Sequence, residues 1–251
     1  MPASKVIALI VVFFLTALVS VVTGSTSLIT VPAMIAVGIE PHVSVATNML
    51  ALIFLSVGGS LSFRGKGVID RRVLPLSVVL TVIGSGVGAF LLLDIPTRAL
   101  QLTIAVAMIL VAVFSLLRQD SQAGEHSVSA ARQATGYVFT FALAVYGGLF
   151  SGGYVTMLTA VFVFFFGLGF LQSVATTKVV NVFSSLIAVL IFAHRGLVDY
   201  RLGMTLGIAM FFGAVIGGKV ALRLPAVWLR RVFLVTVIGL AAKMFGMFLA
   251  A

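Results

Sequence analysis

Gly67-Val68-Ile69-Asp70-Arg71-Arg72 and Gly196-Leu197-Val198-Asp199-Tyr200-Arg201 are two versions of one polar loop, set 129 residues apart between long apolar runs. The same offset places Ser44-Val45-Ala46-Thr47 on Ser173-Val174-Ala175-Thr176, with no insertion in between. It also pairs Gly24 with Gly153, Gly38 with Gly167, Gly84 with Gly213, Gly88 with Gly217 and Pro96 with Pro225. Two apolar segments share residues through composition alone, but a common Gly-x-[Ile/Val]-Asp-x-Arg in fixed register is not a compositional accident. The chain therefore reads as two tandem homologous halves. A first membrane repeat covers 1–117, a polar linker 118–133 and a second membrane repeat 134–251.

Composition sets the class. Hydrophobic residues make up 61% of the chain and charged residues 9%; the mean hydropathy is +1.27. That balance excludes a soluble globular domain and indicates an all-α polytopic membrane protein. The net charge of +10 rests on only 16 Lys and Arg, mostly in short loops, which fits interface anchoring and anionic lipid rather than nucleic acid. With no cysteine, disulfides and thiolate chemistry are excluded. His42, His126 and His194 lack ligand spacing, so no metal or cofactor is expected. The six acids (Glu40, Asp70, Asp94, Asp120, Glu125 and Asp199) all fall outside the middles of the apolar runs. A carboxylate proton relay or sodium cage is therefore not indicated, and no catalytic set or phosphate loop is present.

The apolar runs are Val6–Val22, Leu28–Val37, Val43–Phe63, Val73–Leu93 and Leu100–Leu117, then Tyr137–Phe150, Val155–Phe166, Val174–Phe192, Leu202–Leu222 and Trp228–Leu249. A spanning helix needs about 20 residues, and the second run of each half is too short for that. The first run has a counterpart in the second half, so it reads as mature structure and not as a signal peptide. Each half thus has about four transmembrane helices plus a short re-entrant or broken helix. If the short runs are re-entrant, there are eight crossings, the halves are parallel and both Asp-x-Arg loops share one side. If they cross, there are ten crossings and the halves are inverted. The first reading is preferred because it gathers most loop cations on one side, although it leaves Arg223, Arg230 and Arg231 on the other.

Short Gly-flanked segments at matching positions of two halves point to a transporter site, because unwound backbone frees N–H groups for an anion. Thr23-Gly24-Ser25-Thr26-Ser27 and Ser151-Gly152-Gly153-Tyr154 are those stretches; plain packing of small residues is the alternative. Within Val174–Phe192, Lys178, Asn181 and Ser185 share one helical face. A cation at membrane depth is costly, so it either snorkels to the interface or serves an anion. Lys219 and Lys243 are further cations near run ends, where snorkelling is the simpler reading. Asp70 and Asp199 read as caps of the helices that follow them.

Tyr146-Gly147-Gly148-Leu149-Phe150-Ser151-Gly152-Gly153, Ala175-Thr176-Thr177-Lys178-Val179-Val180-Asn181, Arg195–Arg201, Gly213–Gly218 and Leu222–Pro225 occur here in order. In these stretches the chain resembles the sulfite exporter TauE/SafE family, also described as the toluene-sulfonate uptake permease family. The first half matches more weakly, through Ser44–Asn48 and Gly67–Arg72, and reads Thr-Gly-Ser-Thr-Ser where the family form is richer in glycine. The resemblance implies a secondary transporter of small anions, sulfite or organosulfonates, in a bacterial inner membrane.

The expected function is therefore a multi-pass transporter, not an enzyme, working by alternating access at a site between the two repeats. Its expected substrate ligands are backbone N–H groups near Gly24, Ser25 and Thr26 and near Gly152, Gly153 and Tyr154, the hydroxyls of Thr47, Thr176 and Thr177, and Asn48 and Asn181. Lys178 supplies the charge. A passive anion channel and a non-transporting membrane scaffold are the alternatives. The partners this calls for are a small anion and the lipid bilayer; homo-oligomers are compatible with it.

Overall fold

The computed structural model describes residues 1–23, 26–63, 67–117 and 128–220. Their regular elements are all helical: α1 (Ala3–Thr23), α2 (Ser27–Ala36), α3 (Pro41–Phe63), α4 (Leu74–Asp94), α5 (Thr97–Leu117), α6 (Ala130–Leu149), α7 (Tyr154–Phe166), α8 (Phe170–His194) and α9 (Tyr200–Val220). Five are long and apolar enough to cross a membrane over their described lengths, namely α1, α3, α4, α8 and α9. The protein is a multi-pass membrane protein. Large apolar side chains stay exposed at helical spacing, as Val79, Ile83, Val87 and Phe90 do on α4 and Met204, Ile208, Phe212 and Ile216 on α9. Such stripes are stable only against lipid.

Chain punctuation follows the expected chemistry. Gly38, Gly67, Gly167 and Gly196 all have φ between 64° and 99°, and they form two pairs at the 129-residue offset. A side chain rarely adopts that conformation, so the same loop geometry is written by glycine in both halves. Asp199 Oδ1 accepts from the Leu202 N–H and caps α9 as expected, whereas Asp70 Oδ1 accepts from the N–H groups of Arg72 and Val73 ahead of α4 and braces the loop, the N-cap of α4 being Val73 without a side-chain bond. α6 begins at Ala130, with Ser129 accepting from the Arg132 N–H, and residues 118–127 of the expected linker lie outside the described residues.

The expectation of parallel halves is overturned. Asn181 on α8 meets Ser56 on α3, Lys178 meets Gly59, and Thr176 meets the loop after α3 at Asp70. At the other end, Thr47 of α3 meets the loop after α8 at Asp199. Rising numbers on one helix pair with falling numbers on the other, so α3 and α8 are antiparallel and the two Asp loops lie at opposite ends. The short helices take the chain back across. Lys5 Nζ, at the start of α1, donates to the Val37 carbonyl just past α2 at 2.8 Å. Arg132, at the start of α6, likewise donates to the Phe164 carbonyl near the end of α7. A helix of 10 residues covers only about 15 Å, yet the Lys5–Val37 bond puts the end of α2 at the level where α1 starts.

The halves interlock through glycine. On α4, a Cβ added to Gly88 would stand 1.8 Å from the Val145 carbonyl oxygen, and one on Gly148 of α6 would stand 2.1 Å from that of Ser85. On α9, a Cβ on Gly217 would lie 2.3 Å from the Leu18 carbonyl oxygen of α1. The first helix of each half thus packs backbone-to-backbone on the fourth helix of the other. Replacing Gly88 or Gly148 by Ala is expected to force α4 and α6 apart and cost about 1–3 kcal/mol, read as a lower melting temperature in detergent. Gly169→Ala, with nothing within 4 Å of the new methyl, is the neutral control.

One end is tied by a small polar cluster. His42 sets Nδ1 2.8 Å from Glu40 Oε1 and donates from Nε2 to the Ile95 carbonyl at 2.9 Å, joining the loops before α3 and after α4. Partial burial pushes the Glu40 carboxyl up, but hydrogen bonds from His42 and from the Val43 and His42 backbone outweigh it and hold the group below its ordinary value. A carboxyl lowered on folding stabilises the protein above its unfolded value, and that contribution is lost as the pH falls through the lowered one. Melting temperatures measured on acidification through the carboxylate range should fall more for the parent than for Glu40→Gln.

Candidate functional site

The centre of the molecule is the crossing of α3 and α8, and the side chains facing each other there are small or polar. Lys178, Asn181 and Ser185 line one face of α8; Ser56, Gly59 and Ser60 line the opposing face of α3. A Cβ added to Gly59 would lie 3.5 Å from Cδ of Lys178, so the lysine stem lies along the α3 backbone where a side chain is missing. Asn181 Nδ2 donates to Ser56 Oγ at 2.6 Å.

Lys178 is 1% exposed. Its side chain is packed inside the protein and not laid out along the lipid-facing surface. Among the described residues its ammonium has no hydrogen bond and no carboxylate partner; the ion pair found there is His42 with Glu40. On the same two helices, Asn181 Oδ1 and Ser185 Oγ of α8 and Ser60 Oγ of α3 are buried without a partner, as is Ser77 Oγ on α4. Buried polar groups are nearly always satisfied, and an uncompensated buried cation costs several kcal/mol. The four unsatisfied groups lie on α3, α4 and α8, two of these helices also framing Lys178, and they mark this region as the candidate site.

The other expected site residues are placed differently. Gly24 and Ser25 lie outside the described residues. Thr26 contributes its carbonyl to α2, accepting from the Ile29 and Thr30 N–H groups. Asn48 is committed: it donates to Ser27 Oγ at 2.9 Å and accepts from Thr30 at 2.7 Å, while Ser27 and Ser151 bond across the halves at 2.7 Å. Thr47 Oγ1 accepts from the Asp199 N–H at 3.0 Å and Thr176 Oγ1 from the Asp70 N–H at 3.1 Å, so both spend an acceptor on a loop. Thr177 meets Thr159 at 3.5 Å. Gly152 receives the Tyr146 hydroxyl on its carbonyl, Gly153 adopts φ 81° to start α7, and the buried Tyr154 sets its ring against Gly147 and its hydroxyl 3.4 Å from Thr81.

Lys178 and Asn181 are therefore brought together with free valences, while the threonines and Asn48 hold helices in place. The sequence reading passed over Ser56, Gly59 and Ser60. Their signal was present as small and hydroxyl residues at 3–4-residue spacing in an otherwise apolar run, but it acquires meaning only once that face is known to meet Lys178. The side chain of Lys219, and all of Lys243, lie outside what is described.

Residues 9–244 match the model of the family described as sulfite exporter TauE/SafE. The chain belongs to the sulfite exporter TauE/SafE family. It is 28% identical over 242 residues to a probable membrane transporter protein, ORF9, of Sinorhizobium sp, covering 94% of this chain and 90% of that one. To the probable membrane transporter protein YfcA of Escherichia coli strain K12 it is 25% identical over 229 residues, covering 89% and 83%. To YdhB of Bacillus subtilis strain 168, also a probable membrane transporter protein, it is 24% identical over 201 residues, covering 78% and 81%. No solved structure matches the chain. These relatives are transporters by name, which points away from an enzyme.

The satisfied network is the part whose loss should show as stability. Ser27→Ala strips a partner from both Asn48 and Ser151. It is expected to cost about 1–3 kcal/mol in thermal unfolding, the penalty for a buried group left unpaired.

Proposed function

We propose that this protein is a secondary transporter of small anions, sulfite or an organosulfonate, which binds at the α3–α8 crossing. The observation that carries the reading is Lys178, a buried ammonium with no carboxylate near it in the described structure. Its charge selects an anion. Ser60 and Ser185 have hydroxyl protons to give, and Asn181 fixes the ligand against Ser56. Charge-assisted hydrogen bonds in a site closed to water are strong enough to offset the dehydration of a small oxyanion.

Alternating access, rather than a pore, is favoured by the antiparallel halves and by a site closed toward both ends, with Lys178, Asn181 and Ser185 all at 1% exposure or less. Transport then follows from ligand affinity that differs between the two open states. The substrate within the anion class is taken from the family, whose name carries sulfite.

Purified protein should be stabilised against heat by sulfite or a small sulfonate, with a shift that grows with concentration as ligand linkage requires. Lys178→Met, similar in length and apolar, should melt higher than the parent without ligand and lose the shift altogether. Proteoliposomes should show saturable uptake with trans-stimulation. Equal ligand shifts in parent and Lys178→Met would sink the site, and uptake without counterflow would make the protein a channel.

A further inference from the structure

We infer that Thr47 and Thr176 are the two gate residues of the transport pathway, each closing one end of the α3–α8 crossing by a single hydrogen bond to the loop of the other half. This rests on the alternating-access reading above and assigns that cycle its moving contacts.

The geometry is reciprocal. Thr176 accepts from the Asp70 N–H at 3.1 Å and Thr47 from the Asp199 N–H at 3.0 Å. Thr47 and Thr176 stand 129 residues apart in the sequence, as do Asp70 and Asp199. Each bond joins one half to the other, and the two lie at opposite ends of the antiparallel pair. The contact of Asn181 with Ser56 lies between them. Along α8 it is five residues from Thr176, and along α3 nine residues from Thr47, or about 8 Å and 14 Å by helical rise. Both bonds are formed in this structure, and Lys178 between them is sealed from solvent.

The parts are suited to opening one at a time. Each loop is braced on its own side. Asp70 and Asp199 carboxylates cap the backbone that follows them, and Gly67 and Gly196 supply the left-handed turn. Such a loop keeps its shape when it undocks, so opening the Asp199 end breaks one neutral hydrogen bond and its local packing, not a fold. An ion pair in the same place would hold an end shut far more firmly. Gly203 leaves room for the docked Thr47, whose Cγ2 would stand 3.3 Å from a Cβ there. The Asp70 end has one additional tie, Gln172 Nε2 to Asp70 Oδ2 at 3.4 Å. Its counterpart position holds Val43, which has no polar atom to offer. The Asp199 end should therefore open more readily at rest.

The chain has no cysteine, so one introduced thiol is a clean reporter. Ser185→Cys, in membrane vesicles of both orientations, is labelled with a membrane-impermeant thiol reagent. The parent reporter should label faster from the Asp199 face. Thr47→Val keeps the side-chain shape but removes the hydroxyl; it should raise labelling from the Asp199 face several-fold and lower it from the Asp70 face. Thr176→Val should do the reverse, and Thr47→Ser and Thr176→Ser should restore the parent pattern. Labelling that rises from the same face in both valine variants, or that changes in neither, overturns the gates. Sulfite stabilisation of the parent is read separately. If it is absent while labelling remains face-selective, the anion assignment fails and the gates stand.

Discussion

Backbone contact through glycine is the constraint on which the arrangement depends. Lipid tails are as apolar as leucine, so helices in a bilayer gain little from hiding apolar surface against each other and rely on close van der Waals approach. Gly84, Gly88 and Gly148 let α4 and α6 touch along their backbones, and Gly213 and Gly217 do the same for α9 and α1. Both contacts run between halves. Neither half can complete its own packing, and the antiparallel pair α3 and α8 is left enclosed at the centre.

That enclosure sorts the polar residues into two kinds. The set of Ser27, Thr30, Asn48 and Ser151 is internally matched, each hydroxyl and amide finding another, and it ties α2, α3 and the start of α7 together. Along the facing sides of α3 and α8 the matching stops. Asn181 uses its amide nitrogen and keeps its oxygen free, Ser60 and Ser185 are unpaired, and Lys178 has no counter-charge in the described structure. A low-dielectric interior magnifies both outcomes: matched groups hold their elements together, and unmatched ones are costly.

Much of this was legible in the chain. Most apolar runs located their helices to within a few residues, since bilayer thickness and the helical rise leave little freedom; α6 begins seven residues ahead of its run, and the run Trp228–Leu249 lies outside the described residues. The 129-residue register found the paired glycine turns, and Asp199 was recognisable as a helix cap. Lys178 was recognisable as anomalous, because charge at membrane depth is costly anywhere. Orientation was not legible. Loop cations favoured parallel halves, and only the contacts of Lys5 with Val37 and of Thr47 with Asp199 show that the short helices return the chain and invert the second half.

The sequence by itself determined a helical membrane protein and singled out Lys178 at membrane depth, because composition, periodicity and burial cost act on each segment independently of its neighbours. Tertiary structure alone decided which polar groups are spent and which are free. Thr47, Thr176 and Asn48 resemble Asn181 on paper, yet they are committed to partners 18 to 152 residues away, whereas one side of Asn181 is left open. Hydrogen bonding is satisfied between elements, and a one-dimensional pattern carries no record of which faces will meet.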